Sequence, residues 1–123
     1  EIRTIVNIAG GGGSSHIFST SEQVVGTWIN GKPLYEITLS YTSPTSGAWR
    51  DIPINTTGFN IEHFMFYNYS IYLTQYNAIY AYPALGAYFR LNQNTGQVQT
   101  YYTDSQQSSK QAYLTIRYTK TTD

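Results

Sequence analysis

Residues 34–42 read Leu-Tyr-Glu-Ile-Thr-Leu-Ser-Tyr-Thr, and this stretch decides the fold class. Successive side chains of an extended chain point to opposite faces. Tyr35, Ile37, Leu39 and Tyr41 therefore share one face, and Glu36, Thr38, Ser40 and Thr42 share the other. An apolar face backed by a polar one marks a β-strand lying on one side of a core. Just before it, residues 24–29 (Val-Val-Gly-Thr-Trp-Ile) predict a second strand, joined to the first by Asn30-Gly31-Lys32-Pro33. Asn-Gly tolerates the positive φ values of a tight hairpin turn. Pro33, which has no N–H to donate, fits the start of a strand or a sheet edge.

Outward from this hairpin the period of two persists. Near the C-terminus, Ala112, Leu114, Ile116 and Tyr118 alternate with Tyr113, Thr115, Arg117 and Thr119, which predicts a closing strand. Residues 87–93 and 97–103 flank Asn94-Thr95-Gly96, a second hairpin signal. In residues 60–73, Ile61, His63 and Met65 alternate with Glu62, Phe64 and Phe66, and the pattern resumes after Asn68 with Tyr69, Ile71 and Leu73. That run predicts a central strand buried on both faces. Residues 78–85, broken by Pro83, read as an irregular edge, and residues 49–54 as a short extended piece. Residues 42–47 and 104–111 read as loops, and no window carries a capped helical stripe. The expected fold is all-β: an antiparallel, jelly-roll-like β-sandwich of about seven or eight strands.

The 123 residues suffice for one domain. Its expected span is residues 14–123. Residues 1–13 then form an N-terminal strand (2–8) and a glycine-rich linker from a preceding module, because Gly10 to Gly13 in a row cost too much backbone entropy inside an element. The opening Glu1-Ile2-Arg3 has neither an initiator Met nor a basic-then-apolar leader, so the chain is expected to be a piece of a longer protein.

Charged residues make up only 11% of the chain, against about 25% in ordinary domains. Seven basic and seven acidic side chains cancel, which leaves no electrostatic footprint for nucleic acid or an anionic membrane. Apolar runs fall short of a membrane helix, so no membrane insertion is expected. Without cysteine, neither disulfides nor thiolate sites contribute. His16 and His63 lie far apart with no HxH or HExxH spacing, so no metal is expected. The glycines at 10–13 lack the Lys-Ser/Thr of a phosphate loop, and no cofactor is expected. A glycosidase needs two carboxylates roughly 5 to 10 Å apart. The carboxylates are Glu1, Glu22, Glu36, Asp51, Glu62, Asp104 and Asp123; the sequence does not exclude Glu36 and Glu62 on adjacent strands, but single carboxylates on a strand's polar face are ordinarily solvated. No catalytic residue is assigned, and the chain is expected not to be an enzyme.

Tyrosine supplies 13 of the aromatic residues, beside five Phe and two Trp. Tyr35, Tyr41 and Tyr118 belong to core faces, with hydroxyls at the rim. The crowd Tyr67, Tyr69, Tyr72, Tyr76, Tyr80 and Tyr82, joined by Tyr101 and Tyr102, exceeds what one domain of this size buries. Some of them must lie at a subunit interface or on an exposed aromatic surface. Rings flanked by Asn, Gln and Thr suit sugars, which offer apolar ring faces together with hydroxyls. The candidate contact residues are Trp49, Tyr67, Tyr69, Tyr76, Tyr80, Tyr82, Tyr101 and Tyr102.

Residues 18–35, Phe-Ser-Thr-Ser-Glu-Gln-Val-Val-Gly-Thr-Trp-Ile-Asn-Gly-Lys-Pro-Leu-Tyr, resemble a run that opens the C-terminal domain of fibre-like structural proteins of tailed bacteriophages. The closing Tyr118-Thr-Lys-Thr-Thr-Asp123 is similar to their terminus. These matches bracket residues 18–123, with no recognised pattern between them. The resemblance implies a virion module in a tail fibre or capsid appendage, a homotrimer whose partner is a host cell-surface receptor, a glycan or a protein. It carries over no catalytic residue. From the residues themselves, Trp28 and Tyr35 are expected as packing anchors. The alternatives are a purely structural module that fixes trimer assembly, a depolymerase fragment, and a stand-alone carbohydrate-binding or adhesin domain.

Overall fold

A computed structural model of the chain describes residues 16–81 and 86–123, apart from the side chains of Phe66 and Gln75. The expected strand at 2–8, the linker at 10–13 and the domain boundary at residue 14 lie outside the described residues.

The described chain is all-β and antiparallel, as the alternation predicts. Its strands are β1 (Gln23–Thr27), β2 (Pro33–Thr42), β3 (Arg50–Asp51), β4 (Ile61–Leu73), β5 (Ala78–Ala81), β6 (Ala87–Asn92), β7 (Gln97–Tyr102) and β8 (Gln111–Lys120). They form a five-stranded sheet in the order β1-β2-β8-β4-β5 and a three-stranded sheet in the order β3-β7-β6. Both expected hairpins are present. Gly31 turns at φ 88° between β1 and β2, and Gly96 at φ 75° between β6 and β7, where an L-residue would be strained.

β8, not β4, is the middle strand of the large sheet. Its register aligns the apolar positions in layers: Ile37 opposite Ile116, Leu39 opposite Leu114, Tyr41 opposite Ala112. On the other side of β8, Tyr69 faces Leu114 and Ile71 faces Ala112. Two register shifts in β4, between Ile61 and Phe64 and between Phe66 and Asn68, change which parity faces inward. They explain why Ile61, Phe64, Tyr69, Ile71 and Leu73 serve one core although no single period of two links them. The expectation that β4 is buried on both faces fails here, because Tyr67 and Asn68 are solvent-exposed on its outer side.

The inner faces of the two sheets close on one another. Ile37, Leu39, Ile71, Leu114 and Ile116 from the large sheet meet Val98 and Tyr102 from the small one, with Ile52 following β3. Each such aliphatic side chain contributes about 1.5–3 kcal/mol on burial. Three tyrosines bridge the sheets at the centre. The Tyr69 hydroxyl donates to the Tyr102 hydroxyl at 3.0 Å, and the Tyr41 and Tyr102 hydroxyls lie 2.9 Å apart. Burial is the main cause that pushes the phenols of Tyr41 and Tyr69 well above the ordinary tyrosine range, with neighbouring hydroxyls adding to it. Mutual hydrogen bonding is what lets three polar tips sit inside an apolar layer.

Candidate functional site

The outer face of the three-stranded sheet carries the arrangement with the most binding chemistry. In β6 the residues Ala87, Phe89 and Leu91 pack toward the core, so Tyr88 and Arg90 face solvent. In β7 Val98, Thr100 and Tyr102 are buried, so Gln99 and Tyr101 face outward. The ladder places Tyr88 opposite Tyr101 and Arg90 opposite Gln99, and β3 adds Asp51 opposite Gln99. Two parallel rows result. One is aromatic: Trp49 stands edge-to-face on Tyr101 at 5.7 Å, and Tyr101 stands edge-to-face on Tyr88 at 6.4 Å. The other is polar: Gln99 Nε2 donates to Asp51 Oδ1 at 2.8 Å, and Arg90 Nε donates to Gln99 Oε1 at 2.8 Å. The rows meet where the Arg90 guanidinium lies over the Trp49 ring, 4.3 Å from its centroid. Next to Arg90, a shallow depression is lined by Leu91, Asn92, Gln93 and Asn94.

A second cluster lies on the outer face of the large sheet. Residues preceding β1 lie alongside β2, where the Thr38 N–H donates to the Ser19 carbonyl at 2.8 Å. This brings His16 Nε2 to 2.8 Å from Glu36 Oε1, while Arg117 Nε donates to Glu36 Oε2 at 2.9 Å. Gln23 Nε2 adds a bond to Glu36 at 3.3 Å. The Glu36 side chain is fully buried, contrary to the expectation of a solvated carboxylate. The pairing of β2 with β8 explains it, since Arg117 is directly opposite Glu36 in the ladder. The Arg117 guanidinium lies 3.8 Å from the centroid of Tyr67, and Phe18 lies 6.2 Å from that ring. Phe18, Tyr67 and Tyr113 remain about half exposed.

Glu62 does not join Glu36. It accepts from Lys32 Nζ at 2.8 Å and from the Thr119 hydroxyl at 3.3 Å. Its bond to Lys32 is the main cause that holds its carboxyl below the usual glutamate range. A general acid needs the opposite shift.

Of the residues expected as contacts, Trp49 and Tyr101 come together on the small sheet's outer face. Tyr76 and Tyr80 meet at 6.1 Å, with the Tyr76 hydroxyl donating to Gln106 and Tyr80 packing partly against the core. Tyr67 stands alone among the candidates, under Arg117 on the opposite sheet. Tyr69 and Tyr102 are core residues, 2% and 0% exposed, and present no ring face to a ligand. Tyr82 lies outside the described residues. Tyr35 stacks on Tyr118 at 5.9 Å as a packing anchor, whereas Trp28 packs on the outer side beside His63, 5.7 Å away. Sequence reasoning missed Tyr88, Arg90, Gln99 and Asp51. The signal was present in the hairpin: folding residues 87–103 about Asn94-Thr95-Gly96 already pairs Tyr88 with Tyr101 and Arg90 with Gln99.

Among the described residues, no three His, Cys, Asp or Glu side chains gather to hold a metal ion, and no helix is long and apolar enough to cross a membrane. No family model, curated protein or solved structure matches the chain.

Proposed function

We propose that this chain is a non-enzymatic attachment domain of a phage fibre-like virion protein, which trimerises and binds a glycan on the surface of a host bacterium. The observation that carries the binding part is the outer face of the small sheet, where an aromatic row and a hydrogen-bonded polar row run side by side in solvent. Aromatic rings take up the C–H faces of a sugar, and adjacent fixed donors and acceptors select its hydroxyls. The resemblance of residues 18–35 and 118–123 to fibre proteins supports the virion setting. The trimer is supported by apolar and aromatic side chains on the other sheet's outer face, Phe18, Tyr67 and Tyr113, which suit contacts between copies and leave the small sheet free. Three weak sites held together gain avidity.

The test is binding of the fluorescently labelled chain to a panel of bacterial strains, before and after mild periodate oxidation of the cells. The reading requires a strain that is bound, loss of binding after periodate, and retention after surface proteolysis. Tyr101→Ala and Tyr88→Ala should abolish cell binding while light scattering still reports three times the 13.9 kDa chain mass. A trimer that binds no strain and no glycan favours a purely structural module, whose supporting observation is the same aromatic outer face of the large sheet. A monomer that binds sugars favours a stand-alone carbohydrate-binding domain.

A further inference from the structure

We infer that the glycan is anionic, and that Arg90 is the residue that receives its negative group. The inference rests on the glycan-binding reading and adds a chemical class to it. Most of the described acidic side chains are committed within the fold. Glu22 pairs with Lys120, Glu36 with Arg117 and His16, and Glu62 with Lys32. Asp104 caps a short helical turn, and Asp123 accepts from the Tyr35 hydroxyl. Arg90 stands apart from these pairs. It makes no ion pair with a carboxylate among the described residues, and it is exposed.

Its immobilisation indicates a binding role. Arginine on a surface normally samples many rotamers, and fixing it opposes any bond it makes. Here the guanidinium is fixed beforehand by Trp49 beneath it and by Gln99 at Nε, and Gln99 is fixed in turn by Asp51. With Nε engaged, the two terminal nitrogens have no bond among the described residues and form a planar fork, the geometry that meets a carboxylate, phosphate or sulfate with two parallel hydrogen bonds. Trp49 thus supports the cation from below, and the faces left for a sugar ring are those of Tyr101 and Tyr88. Asp51 does not cancel the site. The Gln99 amide stands between the two, taking Asp51 Oδ1 on its nitrogen and Arg90 Nε on its oxygen, each at 2.8 Å. The carboxylate therefore makes no direct contact with the guanidinium and lies up to about 8 Å from Nε, about one Debye length at physiological salt. Asn92, Gln93 and Asn94 line the same depression as Arg90 and supply partners for the rest of an acidic sugar.

The experiment is a glycan array that carries carboxylated, phosphorylated and sulfated glycans, each beside its carboxyl-reduced, dephosphorylated or desulfated counterpart. It is probed with the wild-type chain, Arg90→Ala, Arg90→Lys and Tyr101→Ala. The expected result is binding confined to charged members, weakened about tenfold or more by Arg90→Ala and recovered only in part by Arg90→Lys, which keeps the charge without the fork. Which of the carboxylated, phosphorylated or sulfated classes binds identifies the anion. Tyr101→Ala should weaken binding throughout, and all variants should remain folded with melting temperatures within a few degrees of wild type, because the altered side chains lie on the outer face of the sheet and lose only contacts within that face. Equal binding to a charged glycan and its neutral counterpart, sensitive to Tyr101→Ala and indifferent to Arg90→Ala, overturns the inference and leaves the glycan reading standing. Binding to no glycan, charged or neutral, overturns both.

Discussion

Replacing Arg117 with Met tests whether the outer face of the large sheet is as closed as the geometry implies. Methionine keeps an unbranched apolar stem over the sheet and removes the charge. The carboxylate of Glu36, 0% exposed, then loses its bond to Arg117 Nε at 2.9 Å. Among the described residues it keeps His16 at 2.8 Å and the longer contact from Gln23 at 3.3 Å. Breaking a buried ion pair from one side costs about 3–5 kcal/mol. The Arg117 side chain is 24% exposed and the hydrogen bonds from His16 and Gln23 remain, which lowers the figure to about 2–4 kcal/mol. The guanidinium's contact with the Tyr67 ring adds about 0.5–1 kcal/mol. A net loss near 3 kcal/mol lowers the melting temperature of a domain this size by about 10–15 °C. Urea unfolding followed by tyrosine and tryptophan fluorescence measures it, in a cycle with Glu36→Gln and the double variant. The double variant should be more stable than the two single losses predict, by about 1 kcal/mol or more. If Arg117→Met costs under about 1 kcal/mol and the cycle is additive, water reaches Glu36 and the pair is an ordinary surface contact.

Removing one hydroxyl from the buried tyrosine trio, by Tyr102→Phe, leaves the Tyr69 donor without its acceptor and should cost about 1–3 kcal/mol in urea unfolding; Tyr88→Phe on the exposed face should cost nothing measurable. Alkaline pH should unfold the domain. Tyr35 is pushed up to about 12, chiefly by its hydrogen bond to Asp123, and burial raises Tyr41, Tyr69 and Tyr118. The unfolded chain therefore releases these protons near pH 10 while the folded one retains them, so stability is full below about pH 10 and falls as pH rises further. A stability plateau to pH 12 in a pH series of denaturation curves would contradict this. Gly86→Ala should destabilise by about 2 kcal/mol, because Gly86 sits at φ 69° and a methyl group there would clash with the Thr103 hydroxyl. Gly58→Ala, with open space around its Cβ, is the control and should stay within about 0.5 kcal/mol.

The sequence determined what depends on neighbours along the chain. The alternation in residues 34–42, 97–103 and 112–119, with Asn30-Gly31 and Asn94-Thr95-Gly96 between strands, was enough for the all-β class, the two hairpins and most of the core, because side chains alternate strictly wherever a strand is regular. It failed in β4, where two register shifts move the inward parity without leaving a mark that local pattern can read. The site divides in the same way. Trp49 and Tyr101 were legible as aromatics in polar surroundings, but Tyr69 and Tyr102 look the same in sequence and are core. What separates them is which face of which sheet each occupies, and that follows from how the two sheets close on one another. The burial of Glu36 was equally invisible, since His16 and Arg117, 20 and 81 positions away from it, approach only when β2 pairs with β8 and the segment before β1 lies along the sheet. The fixing of Arg90 by Trp49 likewise needs β3 beside β7 and β7 beside β6. Local periodicity sets the faces of a strand; only long-range strand order decides which side chains meet across them, and in this protein the proposed binding site is built from those meetings.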